Sequence, residues 1–243
     1  MESRASELLR AGTARAPMES SRVRRCGRVL TGNACRPFCS GMERAGSLLF
    51  KPASYVERLE LAEIFPEQQP LEVELGAGDG SFLVQWAKRN PAHNFLGVER
   101  LLGRIRKIER KASRAGLQNV RLMRIEARYF LEYLLPERSV TRLHVYFPDP
   151  WPKRKHWKNR LVNAHFVEVA ARVLKRGGEV FFRTDDKDYF EQITSVFGAD
   201  RKFGRVETSE ELRETLTDFE RTFQEQGVRT LSAAYELKGK AAP

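Results

Sequence analysis

Between residues 71 and 197, short apolar runs alternate with amphipathic stretches, and that alternation leaves the chain few architectures. Residues 71–75, 94–98, 120–125, 143–147 and 178–184 have the length and composition of strands. Residues 81–88, 101–115, 127–134, 160–174 and 187–197 repeat apolar side chains at helical spacing, and Gly116 stops the second of them. Strands and helices that alternate in this way build a mostly parallel α/β sheet with helices on both faces. Right-handed crossovers gather the strand C-terminal ends at one edge, where ligands bind. Residues 54–65 predict one more helix, ended by Pro66. At 243 residues the chain can bury one good core, or one domain with appendages.

The first strand-to-helix turn reads Glu74-Leu75-Gly76-Ala77-Gly78-Asp79-Gly80. Three glycines at alternate positions permit a tight turn and close approach of backbone to a ligand. The dinucleotide fingerprint places its last glycine one residue later, and no phosphate-gripping lysine follows as in a P-loop. Acids occupy the strand ends instead. Glu74 precedes the turn, Glu99 ends the second strand nineteen positions after Gly80, and Glu126 ends the third. Such acids repel phosphate but suit a cation, as S-adenosylmethionine is, with its sulfonium and ammonium groups. An acid at the position of Glu99 accepts hydrogen bonds from a ribose diol in such folds. A plain turn with exposed glutamates at the strand ends is the competing reading.

After the fourth strand the chain reads Phe147-Pro148-Asp149-Pro150-Trp151-Pro152, followed by Lys153, Arg154, Lys155, His156, Trp157, Lys158 and Arg160. Proline fixes its own φ and restricts the residue before it, so Asp149 points in a set direction at little entropic cost. A fixed carboxylate beside indoles and cations suits a charged, planar, phosphate-bearing substrate, nucleic acid first. Lys153, Arg154, Lys155, Lys158 and Arg160 are expected to hold phosphates. Trp151 is read as sealing the core edge, and Trp157 equally as core or as a stacking surface. His156 carries no catalytic expectation. The basic stretch from Arg104 to Arg114 is equally a solvated face or an RNA contact. Thr184 and Asp185 suit a helix N-cap. Thr217 and Glu220 have the spacing of a capping box.

The net charge of +11 favours a polyanionic partner. No apolar run approaches the ~20 residues that span a bilayer, so no membrane role is expected. Residues 1–47 hold nine arginines against four glutamates and no lasting periodicity. They read as a basic, disordered and dispensable tail, with a transit peptide or an artefact of start-site choice as the alternatives. Residues 48–238 are expected to form the functional domain and 239–243 a short tail. Cys26, Cys35 and Cys39 all lie in the first segment. Their odd number and the lack of a suitably spaced histidine argue against a disulfide framework or a zinc site, and fit a reducing cytoplasm.

The chain resembles the bacterial-type tRNA (guanine-N7)-methyltransferases. The matching residues are Glu74-Leu75-Gly76, Gly78 and Gly80; Gly97-Val98-Glu99; Phe147-Pro148-Asp149-Pro150-Trp151-Pro152-Lys153; Thr184-Asp185; and Thr217, Phe219 and Glu220 ahead of Gly227. The resemblance implies a class I S-adenosylmethionine-dependent methyltransferase fold, Rossmann-like, whose last strand (residues 229–237) is antiparallel at the sheet edge. It implies that Glu74, Gly76, Gly78, Glu99, Glu126 and Asp149 hold the cofactor. Position 126 is more often Asp or Asn in that family. It further implies that Lys153, Asp185, Thr217, Phe219 and Glu220 meet tRNA, and that a variable-loop guanine is methylated at N7. Asp149 is the expected catalytic residue. A methyltransferase for another RNA or a small molecule, or a noncatalytic RNA-binding module, are the rival expectations. No obligate protein partner is expected, and the chain is expected to be a monomer or a homodimer.

Overall fold

The computed structural model describes residues 47–239. The expected tail at 1–47 therefore lies, but for Ser47, outside the described residues. The strands are β1 (Leu49–Phe50), β2 (Leu71–Leu75), β3 (Asn94–Val98), β4 (Val120–Met123), β5 (Val140–Tyr146), β6 (Leu174–Thr184), β7 (Phe203–Val206) and β8 (Leu231–Leu237). They form one sheet in the order β1-β4-β3-β2-β5-β6-β8-β7. The pairings from β1 to β6 are parallel, and β8 runs antiparallel to both β6 and β7. This is the class I methyltransferase sheet that the alternation and the resemblance predicted.

Helices α2 (Ser81–Arg89) and α3 (Leu102–Arg114) cover one face, where Phe82, Trp86, Ile105 and Ile108 pack with Phe95, Tyr146 and Phe181. Helices α5 (Ala164–Val173) and α6 (Lys187–Ala199) cover the other, where Phe166, Ile193 and Phe197 pack with Val73, Leu143 and Phe182. Because β2 is central, its alternation buries both sets of side chains. Leu71, Val73 and Leu75 belong to the second face, while Glu72 and Glu74 are buried as well.

Four expectations need correction. The helix at 54–65 shrinks to one turn, α1 (Leu61–Ile64). The helix at 127–134 splits into a single turn, α4 (Ala127–Tyr129), and a π turn, Phe130–Leu134. The helix at 160–174 begins only at Ala164; a 3-10 stretch, Arg154–Asn159, precedes it, and Leu174 already opens β6. The last strand is not at the edge. The four-residue β7, whose single glycine weakens its strand signal, lies outside it. Between β7 and β8 stand two short helices, α7 (Glu210–Glu214) and α8 (Asp218–Glu225).

Candidate functional site

The glycine turn leaves β2 between the ends of β3 and β5, its two neighbours in the sheet. Gly76, Gly78 and Gly80 all have positive φ (75°, 57° and 77°), a region L side chains rarely adopt. The amides of Gly76 and Ala77 donate to the Val98 carbonyl at 2.8 and 3.0 Å, which ties the turn to the end of β3. A Cβ on Gly76 would meet nothing within 4 Å, whereas one on Gly80 would lie 2.7 Å from Ile108. Gly76 thus keeps space open, and Gly80 lets α3 close in.

Glu99 reaches back under this turn. Its Oε2 accepts from the Gly78 amide at 3.1 Å and its Oε1 from the Leu101 amide at 2.8 Å, with Arg104 3.5 Å away. Glu74, 3% exposed, has a buried Oε2 without a hydrogen-bond partner among the described residues. Burial pushes its pKa well above the usual carboxylate range, and the charges of Asp79 and Glu99 add to this against the pull of Arg183. An acid buried in this way is an unfilled site for a donor or a cation.

The loop after β5 is strained at both ends of its proline-flanked acid. Phe147 and Trp151 have φ of 49° and 47°, an outlying conformation for bulky residues. Each such residue costs about 1–3 kcal/mol and persists only where its surroundings dictate it. The anchors are the Phe147 amide, which donates to the Arg183 carbonyl at 2.8 Å, and Arg160, whose Nε donates to the Pro150 carbonyl at 2.7 Å. Arg160 is buried, packed over the rings of Trp157 and Tyr189 and bonded to Gln192. The expectation that Arg160 holds a phosphate is therefore corrected: it is the clamp of the loop. Asp149, by contrast, is exposed.

A cleft of about 350 Å3 opens between these parts, lined by Gly76, Glu99, Glu126, Phe147, Asp149 and Trp151, with Arg104 and Asn159 among the other walls. Its size suits one small ligand. Glu126 is exposed at the rim, and its two oxygens accept from the Arg128 and Tyr129 amides at 3.0 and 2.8 Å as the N-cap of α4. Trp151, expected against the core edge, is half-buried, lines the cleft and meets His156 edge-on.

Sequence reasoning missed the buried network behind this cleft. Glu72 accepts from Trp86 Nε1 at 2.8 Å, His144 Nε2 at 2.8 Å and Arg142 Nη1 at 3.3 Å, and lies 2.6 Å from His93 Nδ1. Burial opposes its charge, yet the hydrogen bond and charge of His144, with Arg142 and Trp86, bring its pKa down to about 2. Burial lowers the pKa of His144, and its hydrogen bond to Glu72 opposes that shift. Its Nδ1 lies 2.9 Å from the Tyr146 hydroxyl, and Tyr146 forms part of the cleft wall. The signal was present: a glutamate inside a central parallel strand needs partners.

The expected RNA-facing residues divide. Lys153 and Asp185 are exposed and make no side-chain hydrogen bond among the described residues. The N-cap of α6 is Asp186, not Thr184 or Asp185. Thr217 and Glu220 close the capping box of α8, and Glu220 also pairs with the buried Arg183 at 2.8 Å. Both are largely buried, and the Glu220 bonds all use Oε2. Phe219, 51% exposed, stands outward beside Phe147 with ring centroids 6.0 Å apart.

A family model described as "Putative methyltransferase" matches residues 68–235. A tRNA (guanine-N(7)-)-methyltransferase of Thermotoga maritima is 35% identical over 174 residues, 71% of this chain and 55% of that protein. One of Syntrophotalea carbinolica is 40% identical over 136 residues, 56% of this chain and 59% of that protein. One of Nitrosococcus oceani is 35% identical over 170 residues, covering 70% and 72%. The chain thus spans little more than half the length of the first two relatives. Among solved structures, the 16S rRNA methyltransferase KamB superposes with a TM-score of 0.55 at 16% identity, covering 74% of this chain and 93% of that one. A 30S ribosomal A1408 methyltransferase from an uncultured bacterium gives 0.50 at 16%, covering 77% and 95%. At such identity the likeness speaks for the fold alone.

Proposed function

The chain belongs to the tRNA (guanine-N7)-methyltransferase family, and on that basis we propose that it transfers a methyl group from S-adenosylmethionine to N7 of a variable-loop guanine in tRNA. One observation carries the reading: Asp149 shares a single cleft with Gly76 and Glu99, so a proline-flanked acid stands over a glycine turn backed by acids. The residues present fit the cofactor. Glu74 does not itself line the cleft, but its unpartnered oxygen calls for a cation or donor, and the open space over Gly76 allows close backbone approach. Glu74 and the turn at Gly76 and Gly78 would hold the amino-acid end, Glu99 the ribose and Glu126 the adenine side. Glu99 would offer the diol the lone pairs that the Gly78 and Leu101 amides leave, with Arg104 3.5 Å from Oε2.

When bound, the cofactor supplies an electrophilic methyl group and leaves as a neutral thioether. Guanine N7 brings an aromatic lone pair that faces the major groove, so no base is needed to remove a proton. With the methyl group on N7, the guanine ring would carry the positive charge that the sulfonium gives up. Asp149 accepts hydrogen bonds from N1–H and the exocyclic amine, offsets that charge, and aligns the ring. Lys153 and Asp185 meet the RNA around it, and Phe219 offers a flat face at the entrance. Thr217 and Glu220 act by holding α8 in place. The setting is a reducing cytoplasm. Among the described residues no helix is long and apolar enough to cross a membrane.

The test is incubation with unmodified tRNA and methyl-labelled cofactor, followed by mapping of the label. The expected product carries the methyl on N7 of one variable-loop guanine. Label on another atom or another loop would overturn the substrate assignment.

A further inference from the structure

We propose that the outer face of α3 is a docking strip for the sugar–phosphate backbone of the same tRNA, away from the base that enters the cleft. The inference rests on the functional reading above and adds a surface to it. Helix α3 buries Ile105, Ile108 and Ala112, and turns Arg106, Lys107, Arg110 and Arg114 to solvent. None of these four cations pairs with a carboxylate among the described residues. The one acid of the helix, Glu109, accepts instead from Ser47 Oγ at 2.8 Å and the Leu48 amide at 3.1 Å. Lys111 is already taken, by Asp79 and by Asp218 at 3.8 Å.

Arg106, Arg110 and Arg114 follow one another at i, i+4, about 6 Å of rise each. Like charges at that spacing destabilise a helix that stands alone. A polyanion laid along the row removes the repulsion and releases its own counterions.

Both ends of the strip lead to the proposed RNA site. At its start, Arg104 lines the cleft beside Glu99. At its end, Arg114 and Lys111 line an open groove with Ser81 and Gln85 of α2 and with Asp218 and Arg221 of α8, the helix that carries the exposed Phe219. Because β3 and β5 flank β2, α3 leaves one side of the glycine turn and the basic stretch Arg154–Asn159 follows the strand on the other. RNA crossing the mouth meets cations on both sides. The exposed side of α3 from Gly103 to Arg114 carries no exposed apolar residue, which favours RNA over a lipid surface.

The test uses the full chain and an unmodified tRNA transcript. Arg106→Gln, Arg110→Gln and Arg114→Gln are combined in one variant, and the matching triple Lys variant keeps the charge. With Gln, the slope of log K against log salt becomes shallower by about 2–3, at ~0.7–0.9 per lost contact, and the tRNA KM rises about tenfold. The kcat at saturating tRNA stays within about twofold, cofactor affinity is unchanged, and the Lys variant keeps the wild-type slope. An unchanged slope and KM in the Gln variant would overturn the strip while leaving methyl transfer untouched. A changed slope in a protein that methylates no tRNA would keep the strip and sink the functional reading. Binding to phosphatidylserine vesicles that falls in parallel with tRNA binding would overturn the choice of RNA.

Discussion

Arg183 Nη1 donates to Glu220 Oε2 at 2.8 Å, and both side chains are buried. The same guanidinium donates to the carbonyls of Thr215 at 2.9 Å and of Leu212, and lies 4.4 Å from the Tyr146 ring. It therefore fastens α7 and α8 to β6 beside the cleft wall. Removing one partner of a buried pair leaves the other charge uncompensated. Glu220→Ala is expected to cost about 3–5 kcal/mol, a fall in Tm of roughly 6–20 °C. Phe219→Ala, at an exposed neighbour, should cost far less while weakening tRNA binding. A Glu220→Ala protein that melts with the wild type would show that this anchor is not structural.

The two buried glutamates of β2 should respond to pH with opposite sign. The pKa of Glu72 drops from 4.5 to about 2 on folding, so its stabilising effect is present above 4.5 and is lost as pH falls toward 2. The whole effect is about 3 kcal/mol. Glu74 is raised, so its favourable neutral form prevails below 4.5 and folding stability is lost as pH rises. Glu74→Gln should then stabilise the cofactor-free protein at pH 7 by about 1–3 kcal/mol, lose that advantage by pH 4, and weaken cofactor binding. Urea unfolding between pH 3 and 8, with Glu72→Gln as the control that flattens the acid limb, checks both signs.

Asp149 is exposed and lines the cleft, so its loss should spare the fold. Asp149→Ala is expected to lower kcat about 100- to 1,000-fold, with stability changed by less than about 0.5 kcal/mol. Single-turnover methylation beside thermal melting separates the two effects. Near-normal turnover in the variant would remove Asp149 from the mechanism.

Gly76 and Gly80 share a left-handed φ but not a neighbourhood. Gly80→Ala adds a clash with Ile108 to the backbone strain and should cost about 2–4 kcal/mol. Gly76→Ala meets only the strain, about 1–2 kcal/mol, yet intrudes on the cleft and should weaken cofactor binding more than its stability loss suggests. Melting and calorimetric titration of the two variants should rank them in opposite orders.

Arg160 holds the Pro150 carbonyl from within the core. Arg160→Ala should destabilise the fold by about 2–4 kcal/mol and slow methyl transfer by loosening Asp149. The salt slope of tRNA binding should not change, because Arg160 meets no phosphate. A slope shallower by ~0.7–0.9 would return Arg160 to the RNA-binding set.

Much of this was legible in the chain. Strand–helix alternation announced the sheet, since a strand needs a helical crossover to return in parallel. The glycine turn and the acids at 74 and 99 were readable because each residue type does one thing that neighbours in sequence must supply. What escaped had distant causes. Arg160 looks like one more member of a basic run, and only its burial between Trp157 and Tyr189 turns it into a clamp. Glu72 looks like the polar half of an alternating strand, until β5 brings His144 and Arg142 beside it.

Local chemistry alone thus determined the fold class, the sheet edge where the cleft opens and the proline-flanked acid, since all three depend on backbone preference and on spacing within a few residues. Tertiary contact decided which charged groups are solvated and which are held: Glu74 unpaired, Glu220 and Arg160 locked inside, the α3 arginines left facing water. The physical reason is that the free energy of a charge depends on its surroundings, and those are assembled from segments far apart in the chain, as when Arg89 meets Thr215.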